Sequence, residues 1–371
     1  MRIAIDARKL HDFGIGTYVR NLLFQLGQID PDTEFLVLCR PADRDLVASF
    51  GSNLTPILEP ALPYSISEQV RIPLALRRER VDLYHATHYV LPPLTRRRSI
   101  VTIHDCIHLM FPQYLPNRAA YAYAKAFLWS ATQQARRILT VSEASKRDIL
   151  RLFDVPAERV SVIYNAIDER FRIPPDPERV EQVRERFQLN DDFVLYVGNI
   201  KPHKNVERLI DAFAEVRQAG LDHLKLLVIG DEITRYATLR RAVHRGKLHK
   251  HVRFLGFVPT ETLSILYRLA SVFVFPSLYE GFGLPPLEAM ACGTPVVTSN
   301  ISSLPEIVGD AAILVDPYDP RSIANGIRQA IEDRTLREKL TTRGLARAGH
   351  YSWERSVRSI RSIYDEVLQG S

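Results

Sequence analysis

Two glutamates flank a glycine turn in the stretch Ser277-Leu-Tyr-Glu280-Gly281-Phe282-Gly283-Leu284-Pro285-Pro286-Leu287-Glu288. Carboxylates are good paired acceptors for vicinal hydroxyls, and glycines on both sides of Phe282 imply a backbone that something approaches closely. Sugars and riboses carry such hydroxyls. The apolar run from Phe273 predicts a strand, then the glycine loop, then a short helix with Pro285 or Pro286 in its first turn and Gly293 at its stop. That places Glu288 in the first helical turn and Glu280 before the glycines. A plainer reading makes Ser277 and Glu280 a capping box and Glu288 a complement to the helix dipole, although Gly281 and Gly283 spoil the box.

Cations gather at a second turn, Tyr196-Val-Gly198-Asn199-Ile-Lys201-Pro-His203-Lys204-Asn205. Lys201 and Lys204 fall at a predicted helix start, where a positive charge costs roughly 0.3–1 kcal/mol unless an anion compensates. A diphosphate bridging the ammonium groups and the helix end explains the placement; the alternative leaves both lysines splayed into solvent. Near the start of the chain, Asp12-Phe-Gly14-Ile-Gly16-Thr17-Tyr18 reads as a Gly-rich turn leading onto a helix, a geometry that presents backbone N–H groups to anions, or else as a simple turn. His85, His88, His104 and Asp105 raise a different possibility, a metal-dependent hydrolase. His85 and His88, however, are offset by three in an extended segment and point to different faces, so polar lining at strand C-terminal ends is the simpler account.

Short Val/Ile/Leu runs at 2–6, 34–39, 55–58, 82–85, 99–103, 137–141 and 160–164 read as buried parallel strands, and a second series follows at 193–197, 224–229, 252–255, 272–276, 295–298 and 312–315. Helical patterns at 205–219, 235–245, 260–269, 284–292 and 320–333 separate the second set. The pattern predicts an α/β protein with two Rossmann-like doubly wound domains: residues 1–172, joined by a helix at 353–371 that crosses back, and residues 173–352. The Pro-rich and charged stretch 171–192 is the expected link. Val357, Ile360, Ile363, Tyr364 and Val367 share one face of the last helix.

A length of 371 residues suits two cores, and the even mix of 46% hydrophobic and 25% charged residues excludes a disordered chain. Three widely spaced cysteines, Cys39, Cys106 and Cys292, argue against a disulfide framework and for a reducing compartment, so the cytoplasm is expected. No secretion signal or bilayer-length apolar run is visible. The net charge is +6, five units of it within residues 1–172. Clusters at Arg77, Arg78, Arg80 and at Arg96, Arg97, Arg98 could meet anionic lipid headgroups at a membrane surface, or could be solvated faces. No basic-aromatic strip suggests nucleic acid.

The run Glu280-Gly-Phe-Gly-Leu-Pro-Pro-Leu-Glu288-Ala-Met-Ala-Cys-Gly293 resembles the large retaining glycosyltransferase family 4. Gly14-Ile-Gly16, His104-Asp105, Val141-Ser142-Glu143, Asn165-Ala-Ile-Asp168 and Lys204-Asn205 agree with it, so the resemblance spans nearly the whole chain. It implies a GT-B architecture, with the donor mainly on the C-terminal domain, the acceptor entering from the N-terminal one and the active site in the cleft that the two domains face. Carried over, Glu280 would bind hydroxyls of the transferred sugar, with Gly281, Phe282, Gly283 and Leu284 around it. Glu288 would hold the ribose and His104 the sugar near its reacting centre. Lys204, assisted by Lys201, would neutralise the diphosphate, Gly198 and Asn199 would form its loop, and Gly14 and Gly16 would close over it. The turn Gly256-Phe257-Val258-Pro259-Thr260 would receive the base. Many members carry Arg or Lys where Asn199 stands, a role that Lys201 or His203 could take. Transfer would proceed with retention and without a metal or other cofactor. The pairing of Ile-Asp-Ala-Arg with Gly-Ile-Gly-Thr-Tyr looks most like bacterial mannosyltransferases of polysaccharide assembly. GDP-mannose is therefore the expected donor, ahead of UDP-glucose and UDP-N-acetylglucosamine, with a glycan or glycolipid hydroxyl as acceptor. A catalytically silent nucleotide-binding subunit would satisfy the loops and lysines equally, but not the presence of both glutamates with His104.

Overall fold

A computed structural model describes residues 1–95, 98–230 and 236–370. Arg96 and Arg97 of the second basic cluster, and residue 235 at the start of one predicted helix, lie outside the described residues. Packing divides the chain into two compact units, Met1–Ala166 with Ser352–Ser371, and Ile167–Tyr351.

The first unit holds strands β1 (Arg2–Asp6), β2 (Glu34–Cys39), β3 (Leu54–Leu58), β4 (Leu83–Ala86), β5 (Arg98–Thr102), β6 (Arg137–Thr140) and β7 (Val160–Val162). They form one parallel sheet in the order β3-β2-β1-β4-β5-β6-β7. Ile3, Ile5, Val37, Leu83, Ile100 and Ile138 are fully buried. Helices cover both faces of such a sheet, which is why its strands read as unbroken apolar runs. The winding reverses between β1 and β4, and crevices in open parallel sheets lie beyond the strand C-terminal ends at that switch. Asp6–Asp12 and Thr87–His88 follow those two ends.

The last helix, Trp353–Gln369, belongs to this unit and packs on the helix Phe13–Ile29 and on β4. Its buried face is Trp353, Val357, Ile360, Ile363, Tyr364 and Val367, the stripe expected from the 3.6-residue period. Burying each aliphatic side chain contributes ~1.5–3 kcal/mol, and most helical stability comes from packing of this kind rather than propensity.

The second unit holds β8 (Phe193–Val197), β9 (Lys225–Ile229), β10 (Val252–Gly256), β11 (Val272–Phe275), β12 (Val296–Ser299) and β13 (Ile313–Val315), all parallel, in the order β10-β9-β8-β11-β12-β13. Its switch point lies between β8 and β11, so the loops after those strands converge there. The stretch 171–192 holds the helix Pro177–Phe187, capped by the Asp176 carboxylate on the Glu178 N–H at 3.0 Å and ended by Gln188 at φ 49°.

Candidate active site

Convergence at the second switch point explains why residues far apart in sequence meet. After β8 the chain turns at Gly198 and Asn199, passes exposed Lys201 and a single tight turn, and enters the helix Val206–Gln218. After β11 it runs through Pro276 to Glu280 and the glycine turn. The Lys204 Nζ donates to Glu280 Oε1 at 2.6 Å, with the two side chains 15% and 12% exposed. The lysine therefore has a carboxylate partner in the molecule itself, which neither the bridging-diphosphate nor the solvated reading anticipated.

Four residues hold this arrangement: Asn205, whose tertiary bonds the motif did not show, and three that the sequence reasoning missed. Asn205, at φ 62°, donates its amide to the carbonyls of Pro276 at 3.0 Å and Pro317 at 2.7 Å, stitching three loops together. A left-handed non-glycine residue at a helix entrance is costly and marks an over-determined position. The Ser302 hydroxyl accepts from the Glu280 N–H at 3.0 Å and donates to the Glu280 carbonyl at 2.8 Å. Ser303 donates to the carbonyls of Glu280 and Phe282 at 3.0 and 2.7 Å. Their only sequence signal was a Ser-Ser pair ahead of the short helix Leu304–Val308.

The fourth is Tyr267. Its fully buried hydroxyl donates to Glu288 Oε2 at 3.0 Å. Burial pushes the Glu288 carboxyl up to about 7, against the lowering effect of that hydrogen bond. Glu288 is the fifth residue of the helix Leu284–Ala291 and so lies in its second turn, because that helix starts at Leu284 with Gly283 as its cap. Gly283 takes φ 117°, a conformation that favours glycine. The capping-box alternative fails: the Ser277 hydroxyl is buried with no hydrogen-bond partner and caps nothing. Gly281 and Phe282 are buried and Leu284 partly so, with the Phe282 ring edge-on to Tyr351 at 5.6 Å.

At the end of β10, Gly256 takes φ 68°, Phe257 is 85% exposed and Val258 is buried. The neighbouring turns pack so tightly that a Cβ on Gly230 would lie 2.1 Å from the Gly198 carbonyl oxygen.

In the first unit, Gly14 and Gly16 occupy the first turn of the helix Phe13–Ile29, correcting the expectation of a loop ahead of it; the helix begins at Phe13, directly after Asp12. Their surroundings differ. A Cβ on Gly16 would lie 2.4 Å from the Leu10 carbonyl oxygen, so packing alone requires glycine there, whereas nothing lies within 4 Å of a Cβ on Gly14. His104, after β5, donates from Nε2 to the Thr87 carbonyl at 3.0 Å, which fixes Nδ1 as the unprotonated nitrogen. Burial lowers its pKa and keeps the ring neutral. The Tyr18 ring meets it edge-on at 5.0 Å. Tyr18 in turn hydrogen-bonds Thr102 at 3.1 Å, Thr102 meets His85 Nε2 at 2.8 Å, and His85 Nδ1 meets the Tyr364 hydroxyl at 2.6 Å.

The histidines of the metal reading have other partners. His85 is engaged on both nitrogens and held neutral by burial, with a pKa near 3. His88 receives the Val90 N–H on Nδ1 and reaches Tyr64 with Nε2. Among the described residues, no three His, Cys, Asp or Glu side chains converge as metal ligands.

The family described as "Glycosyltransferase Family 4" matches residues 14–171, and that described as "Glycosyl transferases group 1" matches residues 178–347. The chain is 37% identical over 291 residues to the O-antigen chain mannosyltransferase B of Escherichia coli, covering 78% of this chain and 76% of that one. It is 34% identical over 244 residues to the serotype-specific mannosyltransferase WbdA of E. coli, covering 64% of this chain and 30% of that longer protein. Among solved structures, Anabaena Alr3699/HepE in complex with UDP-glucose aligns at a TM-score of 0.80 and 20% identity, over 99% of this chain and all of that one, a likeness of fold.

Proposed function

This chain belongs to the glycosyltransferases, family 4 in its first half and group 1 in its second, and from that premise we propose that it moves mannose from GDP-mannose, with retention, onto a hydroxyl of a growing surface glycan or its lipid-linked precursor. Support for the sugar comes from the 37% identity to an O-antigen mannosyltransferase over three quarters of each chain. UDP-glucose and UDP-N-acetylglucosamine are the next candidates.

The observation that carries the reading is the glycine turn with Lys204 paired to Glu280 on one side and Glu288 held by Tyr267 on the other. Glu280 takes hydroxyls of the transferred hexose, and Glu288 takes the ribose. Lys204, with Lys201 and His203 close in sequence, faces the diphosphate, together with the N-terminal end of the helix Val206–Gln218. Gly14 leaves room for the donor, and neutral His104 accepts from a sugar hydroxyl through Nδ1.

In the reaction, the anomeric C–O bond to the diphosphate breaks and positive charge builds on the sugar ring. The acceptor oxygen bonds the anomeric carbon on the same face, and its proton passes to the departing phosphate oxygen. Cationic side chains and helix N–H groups stabilise the leaving negative charge, a task for which preorganised donors are suited. NMR of the product tests retention: an inverted anomer would end this reading.

A further inference from the structure

The exposed large apolar side chains of this protein are not evenly spread. Leu58, Leu62, Tyr64, Ile66, Val70 and Leu74 are between 43% and 88% exposed. Among the described residues, no other stretch of that length carries as many. In the helix Glu68–Arg78, the inner face is Glu68, Ile72, Pro73 and Leu76. The outer face carries Val70 and Leu74 one turn apart, with Ile66 four residues earlier continuing the ridge. A solvated helix face is ordinarily polar.

The ridge is held out rigidly. Arg8 and Glu68 are 4% and 1% exposed and pair at 3.1 Å. Arg8 also donates to the Ala61 carbonyl at 3.1 Å, and the Glu68 carboxylate accepts the Tyr64 N–H at 2.8 Å. Glu59 accepts the Ala61 N–H at 2.8 Å. Tyr64 itself sits at φ 67° with its hydroxyl on His88 at 2.9 Å. Buried ion pairs and a left-handed tyrosine are costly devices, and here they pin the segment that carries the apolar tips.

Charge completes the pattern. Arg71, Arg77, Arg78 and Arg80 are exposed, while the carboxylates of Glu59 and Glu68 are buried. Arg71 pairs with buried Glu59 and Arg78 with partly buried Glu79, and the cationic heads border the ridge.

We propose that this ridge docks the protein on a bilayer surface containing anionic phospholipid, with Ile66, Val70 and Leu74 entering the headgroup–acyl boundary and the arginines meeting phosphates. Apolar tips bordered by long cationic side chains are what an interfacial helix presents. No helix among the described residues is long and apolar enough to cross a membrane, so the contact is peripheral.

Vesicle co-sedimentation of the full chain tests this independently of sugar transfer. Vesicles of phosphatidylcholine with about one third phosphatidylglycerol should retain the protein better than phosphatidylcholine alone, and rising salt should weaken the retention. Ile66→Ser and Leu74→Ser should each lower the partition coefficient roughly tenfold, and Arg77→Ser and Arg78→Ser each roughly fivefold. All four should keep the wild-type melting temperature. Leu345→Ser, at a residue 48% exposed in the second unit, should change nothing. Absence of binding to anionic vesicles, or equal loss with Leu345→Ser, overturns the proposal. So does sedimentation velocity showing that the ridge variants abolish a dimer, which would assign the surface to a second copy of the chain.

Discussion

Lys204 and Glu280, 76 residues apart in the chain, meet in a 2.6 Å ion pair beside the glycine turn of the second unit. Both loops leave the C-terminal ends of adjacent strands at a topological switch, which is where such a fold gathers its ligand contacts. Under the proposed function the pair would poise each partner, a diphosphate drawing on the ammonium and sugar hydroxyls on the carboxylate.

Substituting either partner should separate their roles. Lys204→Ala should lower kcat by ~100- to 1,000-fold, the usual cost of one preorganised donor at developing charge. Glu280→Gln should lower kcat while leaving the affinity for the free nucleoside diphosphate within about threefold, since that ligand carries no hexose and the freed lysine can only favour the anion. Initial-rate kinetics with calorimetric titration of GDP checks both. A Glu280→Gln loss confined to nucleotide affinity would contradict the assignment.

Glu288 makes a prediction about pH. Burial raises its carboxyl from 4.5 to about 7, so the folded protein holds a proton that the unfolded chain has lost. Its stabilising contribution is present below pH 4.5 and is lost as pH rises through 7. Wild type should therefore lose melting temperature relative to Glu288→Gln between about pH 4.5 and pH 7 and level off above it. Nucleotide binding should run the other way. A ribose donating to the carboxylate favours the ionised form, so GDP affinity should fall as pH drops below 7, by at most ~10-fold per unit, and Glu288→Gln should abolish that slope. An affinity independent of pH would remove Glu288 from the ribose.

The chain Tyr364–His85–Thr102–Tyr18 ends against His104. Tyr364→Phe keeps the ring and deletes the hydroxyl, leaving a buried imidazole nitrogen unsatisfied at ~1–3 kcal/mol. If His104 acts on the sugar, a double-mutant cycle of Tyr364→Phe with His104→Ala should show coupling in kcat of at least ~0.5 kcal/mol. Additive effects would leave the last helix a purely structural element.

Gly14 and Gly16 should part company. Gly16→Ala drives a methyl to 2.4 Å from the Leu10 carbonyl and should destabilise the fold by ~1–3 kcal/mol. Gly14→Ala meets open space and should hold or raise stability by up to ~1 kcal/mol through helix propensity, yet weaken donor binding. Thermal melts and donor KM for the two variants decide it.

Much of this architecture was legible in the sequence, because strands buried on both faces leave continuous apolar runs; all thirteen were placed to within about two residues. The last helix was equally clear from its stripe. Glu280, Glu288, Lys204 and His104 stood out by residue type and setting. Local pattern could not show that Lys204 and Glu280 bond to each other, since that depends on strand order. Nor could it single out Tyr267, Ser302 and Ser303, or show what Asn205 bonds, because their importance lies in tertiary hydrogen bonds. The helix start at Phe13 was misjudged by a few residues, enough to move two glycines from a loop into its first turn; the helix over 284–292 does start at Leu284, but Glu288 falls in its second turn rather than its first.

Release of nucleoside diphosphate from GDP-mannose, UDP-glucose and UDP-N-acetylglucosamine, measured side by side for wild type and Lys204→Ala with a glycan acceptor and NMR of the product, bears most directly on the central claim. The account predicts fastest release from GDP-mannose, strong loss in Lys204→Ala, and an α-mannosyl product from the α-configured donor. Preference for a UDP-sugar, a β-linked product, or wild-type release by Lys204→Ala would contradict it.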